Sequence, residues 1–249
     1  MLLPMLISIY FSEAIWKNFL LSAAITMICG GGLVILNRKA EGVRHREGLA
    51  IVSLGWLLAG LFGALPYLIS GTFPTFIDAF FETVSGFTTT GATVLLDIES
   101  TEKGILFWRS LTQWLGGMGI IILFVALLST IGSEAIHIFS AELTSPTFEK
   151  IRPRVRETAQ VLWLIYLCFT GILFLILCVL GMPPYDAINH AFTTVSTGGF
   201  STKNASIGAF ESSFITWTIT IFMFFGGINF ALFYQGLKKK TLSKTFQIP

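Results

Sequence analysis

The chain has 249 residues, 53% of them hydrophobic and 12% charged, with a net charge of +2, and a mean hydropathy of +0.76. Soluble domains carry about 25% charged residues, so this composition specifies an integral membrane protein, and the small net charge gives no reason to expect nucleic acid as a partner. Cys29, Cys168 and Cys178 all fall inside apolar segments with neither a metal-ligand spacing nor a disulfide framework, and they read as packed, inert thiols.

A helix that crosses a bilayer needs about 20 residues. Residues 2–12 are apolar but too short, and the opening Met1-Leu2-Leu3-Pro4 has neither a basic region nor a cleavage site of the signal-peptide kind. Segments 14–36, 49–69, 105–131, 159–181 and 212–237 are long enough. Between them, 75–87 and 185–194 are apolar yet too short to cross. They open at Asp78 and Asp186 and run into polar, glycine-bearing turns. The predicted organisation is an N-terminal helix with a basic loop (1–48), a first unit (49–131), a connection (132–158), a second unit (159–237) and a basic tail (238–249). Loop 37–48, connection 132–157 and the tail each carry four Lys or Arg, whereas the opposite side carries Lys17, Lys103, Arg109 and Lys203. Excess positive charge stays on the cytoplasmic side, which predicts both turns outside and the C-terminal tail inside. An acidic outer vestibule, including Asp97, Glu99, Glu102 and Glu211, would raise the local cation concentration.

The unit of span, short helix, turn and span occurs twice, and internal repeats in transporters often frame the substrate path. The turns are Ser85-Gly86-Phe87-Thr88-Thr89-Thr90-Gly91-Ala92-Thr93 and Thr193-Thr194-Val195-Ser196-Thr197-Gly198-Gly199-Phe200. Irregular backbone survives at membrane depth only inside protein or beside a watery path. Backbone carbonyls replace the water shell of a monovalent cation without adding full charges. Glycine reaches positive φ without a Cβ clash, and a short helix ending at the turn directs its partial negative end there. Thr88, Thr89, Thr90 and Gly91, with Val195, Ser196, Thr197 and Gly198, are therefore the candidate filter residues. The carbonyls of Thr89, Thr90, Gly91, Ser196, Thr197 and Gly198 are the expected ligands of a monovalent cation. No ring of carboxylates in the turns points to a divalent ion. Asp78 and Asp186 open the short helices. Glu82 is a carboxylate at membrane depth that braces the loop or caps. Arg109 either snorkels outward or pairs with an outer carboxylate to hold the filter. Gly116-Gly117 and Gly226-Gly227 read as sites of close helix packing. His190 reads as a packing or hydrogen-bonding residue. Serine, histidine and aspartate are scattered without a hydrolase, protease or redox motif, so an enzyme is not expected.

At these residues the chain resembles the Trk/Ktr family of potassium-uptake proteins, in particular its TrkH-type membrane subunit. The resemblance lies in Phe81-Glu82 with the first turn, in Trp108-Arg109-Ser110-Leu111-Thr112-Gln113-Trp114-Leu115-Gly116-Gly117-Met118-Gly119, and in His190-Ala191-Phe192 with the second turn through Thr202. Further matches are Thr158-Ala159, Leu162-Trp163-Leu164-Ile165-Tyr166 and Gly227-Ile228-Asn229-Phe230. It implies an all-α membrane protein of tandem helix–pore loop–helix repeats, K+-channel-like, here two units preceded by an N-terminal helix. It also implies Gly91 and Gly198 as filter glycines, K+ as the transported ion without an organic cofactor, and coupling to Na+ or H+ in some members. The implied setting is the bacterial inner membrane, as a homodimer that works with a cytoplasmic nucleotide-binding regulator of the TrkA type. The family pattern has four units; this chain holds two, without the gating loop of the third and with a shortened first helix. That predicts a partial chain, completed by a second copy or by a separately made C-terminal half. The competing expectation is a non-conducting assembly or regulatory half-subunit.

Overall fold

A computed structural model describes residues 1–36, 45–130 and 155–228. Most of the basic residues behind the orientation prediction, together with His137 and Asn229, lie outside the described residues. Within them the regular structure is helical: α1 (Leu2–Tyr10), α2 (Trp16–Leu36), α3 (His45–Gly63), α4 (Leu65–Ser70), α5 (Phe76–Phe87), α6 (Lys103–Thr130), α7 (Val155–Val179), α8 (Pro184–Val195), a 3-10 turn (Ser206–Phe210) and α9 (Ser213–Gly227). Trp16–Leu36, Val52–Ser70 and Gln160–Val179 are long and apolar enough to cross a membrane. The second of these was expected as one uninterrupted span. It divides at Ala64 because Pro66, in the first turn of α4, has no N–H to continue the ladder. Ala64 keeps right-handed helical torsions, φ −76 and ψ −20, so the chain stays in the same span. At the end of α3 the Gly63 carbonyl accepts the Trp108 indole N–H at 3.0 Å.

Helices α5 and α8 have 12 residues each, or about 18 Å at 1.5 Å per residue, roughly half of a hydrocarbon core. Their starts are built locally. Thr75 caps α5, accepting from the Asp78 N–H at 3.1 Å and donating its hydroxyl to Asp78 Oδ2 at 2.7 Å, a reciprocal cap. Pro183 and Pro184 open α8, where a missing N–H costs nothing. The 28 residues of α6 span about 42 Å. This helix packs on both short helices and on α1 and α7. Around its N-terminal half lies one core, with Phe19, Tyr67, Ile105 and Trp108. Around its C-terminal half lies another, with Met118, Tyr166, Leu173 and Ile219. Trp114 packs against both; its indole donates to Thr170 at 3.1 Å and its carbonyl accepts the Tyr166 hydroxyl at 3.0 Å. Large apolar side chains such as Ile28, Leu36, Leu175 and Val179 are exposed, as a lipid-facing surface requires. The thiols depart from expectation: Cys29 and Cys168 are exposed and Cys178 is half-buried. Hydropathy alone does not separate a core face from a lipid face.

Gly116, Gly117 and Gly226 are close-packing sites, as expected; Gly227 is not, since a Cβ there meets nothing within 4 Å among the described residues. A Cβ at Gly116 would overlap the Phe87 carbonyl, and one at Gly226 would come within 3.0 Å of the Val195 carbonyl, at the end of the other short helix. Gly116→Ala is accordingly expected to cost about 1–3 kcal/mol through overpacking. Gly31→Ala in α2, where a Cβ meets nothing within 4 Å, is expected to be neutral or stabilising by up to about 1 kcal/mol. Thermal unfolding of the detergent-purified protein checks the contrast; equal effects would contradict the packing.

Candidate ion-binding loops

Both short helices end in the same turn. After α5, Thr89 has φ +56 and Gly91 φ +76; after α8, Thr197 has φ +55 and Gly199 φ +85. A threonine in the left-handed region costs roughly 1–2 kcal/mol, and such strain concentrates at functional sites. In the first loop the N–H groups of Thr90 and Gly91 point back to the Ser85 carbonyl, at 2.9 and 3.5 Å. In the second, those of Gly198 and Gly199 point back to Thr193, at 2.8 and 3.4 Å. A trans peptide carries its carbonyl opposite its N–H. The carbonyls of Thr89 and Thr90, and of Thr197 and Gly198, are therefore turned away from the helix ends. The loops touch: a Cβ at Gly91 would overlap the Gly198 carbonyl oxygen.

This conformation fixes the register of the repeat. Asp78 and Asp186, Ser85 and Thr193, Thr89 and Thr197, and Gly91 and Gly199 correspond at one constant spacing. The structural counterpart of Gly91 is thus Gly199, and Gly198, expected in that place, sits opposite Thr90. The sequence offered two adjacent glycines, and only the sign of φ separates them. Distance from the opening aspartate was the available signal.

Behind the loops lies a buried ion pair. Arg109 on α6 is 1% exposed and Glu82 on α5 is fully buried, with Arg109 Nε donating to Glu82 Oε1 at 2.7 Å. Of the two expectations for Arg109, the structure shows pairing rather than snorkelling. Glu82 also accepts the Thr93 hydroxyl at 2.8 Å and the Val94 N–H at 3.1 Å. Arg109 donates to Thr93 Oγ1 at 3.1 Å and to the Ser201 carbonyl at 3.4 Å, and its guanidinium stacks 4.2 Å over the Phe200 ring. One arginine thereby ties the returning strands of both loops. In the second unit His190 occupies the place of Glu82 and Ser201 that of Thr93, with His190 Nε2 3.1 Å from Ser201 Oγ and Nδ1 2.8 Å from the Asp186 carbonyl. A carbonyl only accepts, so Nδ1 carries the proton and Nε2 accepts from Ser201. A hydrogen-bonding role was expected for His190, but its pairing with Ser201 was not, although aligning the repeats at constant spacing puts the two residues in register with Glu82 and Thr93. Asp186 accepts the Thr202 hydroxyl at 2.6 Å; Asp78 serves its helix cap, away from the loops.

Beyond the returning strands Asn204 staples the units. Its Nδ2 donates to Asp97 Oδ1 at 2.9 Å and its Oδ1 accepts the Ile98 N–H at 2.8 Å. Hydrogen bonds from Asn204 and then Ser100 hold the Asp97 carboxyl below the usual carboxylate range. A depressed pKa gives stability above the ordinary Asp value, lost as pH falls through the lowered one. Among the described residues no cluster of His, Cys, Asp and Glu is suited to hold a metal.

Breaking a buried pair by removing one partner costs about 3–5 kcal/mol, whereas removing both costs much less. Glu82→Gln or Arg109→Met is therefore expected to destabilise by that amount, and the double variant by clearly less than the sum. Thermal unfolding of the purified variants reads this; additive losses below about 1 kcal/mol each would contradict the brace.

The sequence model of the family described as TrkH, cation transport protein, matches residues 15–248. The Trk system potassium uptake protein TrkH of Salmonella typhimurium is 41% identical over 253 aligned residues, covering 100% of this chain and 52% of that protein. TrkG of Escherichia coli, also a Trk system potassium uptake protein, is 36% identical, covering 97% of this chain and 50% of its own length. The crystal structure of the potassium transporter TrkH from Vibrio parahaemolyticus superposes with a TM-score of 0.83 at 36% identity, over 96% of this chain and 48% of that one. The chain spans about half the length of the curated relatives it matches. Its all-helical fold is that of a membrane transporter with pore-loop repeats, and the chain belongs to the TrkH family of cation transport proteins.

Proposed function

We propose that this chain supplies two of the pore loops of a potassium uptake pathway. K+ would pass along the carbonyls of Thr89, Thr90 and Gly91 and of Ser196, Thr197, Gly198 and Gly199. One observation carries the reading: two helix ends present the same strained turn, side by side, with carbonyls turned away from the helices that made them. Each helix adds about half a negative charge at its end, and neutral carbonyls suit a monovalent ion. The potassium uptake named for the relatives points the same way.

Two loops cannot surround an ion, so further units of the same kind complete the path. The packing of the two present units supports this. Gly117 on α6 lies against the next unit, where a Cβ would meet Ser196 Cβ and the Tyr166 hydroxyl, each at 2.9 Å; at the corresponding Gly227 of α9 a Cβ meets nothing within 4 Å among the described residues. The head-to-tail contact made once is open for repetition. A second copy or a C-terminal half fits this face. By family likeness the assembly is a homodimer in the bacterial inner membrane, with loops outside, tail inside and a TrkA-type regulator below. The same open face is what a non-conducting half-subunit would use to assemble, which keeps that second reading in play.

Uptake of rubidium by cells lacking their own potassium importers tests the proposal. Cells expressing this chain are expected to take up rubidium, and Gly91→Val, which collides with the Gly198 carbonyl and strains a positive φ, is expected to abolish it. Membrane-inserted chain without uptake, alone or with a family member supplying the remaining units, would contradict the reading and favour the non-conducting half.

A further inference from the structure

A glycine is required either by its own backbone or by its neighbours, and the two glycines of the second loop divide on this point. Gly199 has φ +85 and space around it: a Cβ there meets nothing within 4 Å among the described residues. Its backbone makes the demand. Gly198 is outside the left-handed region, and its counterpart Thr90 carries a side chain at the same point of the turn. The backbone at 198 therefore accepts a Cβ. What forbids one is Gln113, because a Cβ at Gly198 would overlap the carboxamide carbon and Oε1 of that residue.

Gln113 has nowhere else to go. It is 0% exposed, and its Oε1 accepts the buried Phe200 N–H at 3.0 Å. Only the oxygen end of the carboxamide can take that proton, which fixes its orientation. Its Nε2 is left in the seam between the loops, 3.7 Å from where a Cβ of Gly91 would stand and without a hydrogen-bond partner among the described residues. The Gly198 carbonyl meets Gly91 in the same seam. Gln113 also lies one helical turn beyond Arg109, so the two side chains share a face of α6, one holding the returning strands and the other the turn itself.

We propose that Gln113 is a positioning residue that sets ion discrimination at these loops. Its carboxamide fills the space Gly198 leaves, ties the second loop to α6 through Phe200, and fixes the separation of the loops at the Gly91–Gly198 contact. The discrimination rests on the potassium-path reading; the Gln113–Gly198 pairing does not. A methyl group at 198 pushes the carboxamide aside, frees a buried N–H and shifts the carbonyls that replace the ion's water.

A substitution cycle tests this with G198A, Q113A and their combination, and with G199A alone and combined with Q113A. Purified chains are followed by thermal unfolding, and cells by rubidium uptake in competition with sodium. G198A is expected to lower the unfolding midpoint by about 2–4 °C and to lose the preference for rubidium over sodium. Q113A loses that preference too. In the Q113A background G198A is expected to bring no further loss in either readout, whereas G199A lowers the midpoint equally in both backgrounds. Should G198A yield no folded protein, recovery of folded yield in G198A/Q113A reads the same coupling, and failure to recover overturns it. Equal effects of G198A in both backgrounds overturn the pairing. Unaltered preference in both G198A and Q113A overturns the role in discrimination. Absence of uptake by the unsubstituted chain overturns the potassium-path reading instead, and the thermal cycle still decides the pairing.

Discussion

The buried pairing of Arg109 with Glu82 is the constraint on which the rest of the site depends. An ionised side chain at membrane depth is costly unless it is paired and its remaining donors and acceptors are met. Here the partners that meet them belong to the loops: Thr93 and Val94 from the first, and Ser201 and Phe200 from the second. The cost of leaving either charge bare is what keeps the returning strands in place. Loops that hold carbonyls away from hydrogen-bonding partners have little reason to stay open, so they need such an external frame. Helix α6 provides it with Arg109, then Gln113, then Gly116 and Gly117 set along one side.

The repeat is conserved in shape and varied in chemistry. Both units strain a threonine and a glycine into the left-handed region and return two N–H groups to a single carbonyl. One unit is braced by a carboxylate with an arginine, the other by a histidine that accepts from a serine. Backbone geometry is what the two loops must share if both face one ion. The scaffolding behind them is free to differ, because each loop rests on different neighbours. The first loop is the more exposed, at Thr88, Thr90 and Ala92 through Val94, while Val195, Ser196, Gly198 and Phe200 are buried.

Much of this was legible in the residues. Polar glycine-bearing turns after short apolar segments have few meanings in a membrane protein, and their recurrence located the loops and the spans around them. What could not be read depends on contacts across the fold. The pairing of Glu82 with Arg109 has no helical spacing to betray it, so snorkelling stood beside it as an equal reading. Gly198 and Gly199 are chemically identical in sequence; torsion angle and the position of Gln113 assign them different tasks. Pro66 divides a span that hydropathy shows as continuous, and Cys29 and Cys168 face outward because lipid and core are equally apolar.

We propose that the two loops coordinate the same monovalent ion. Anomalous diffraction from the conducting assembly soaked in rubidium or thallium tests it most directly. Anomalous density is expected between the carbonyls of 89–91 and those of 197–199, diminished by excess potassium and not by sodium. Density confined to the acidic outer loops, or none near these carbonyls in protein that transports rubidium, would contradict it.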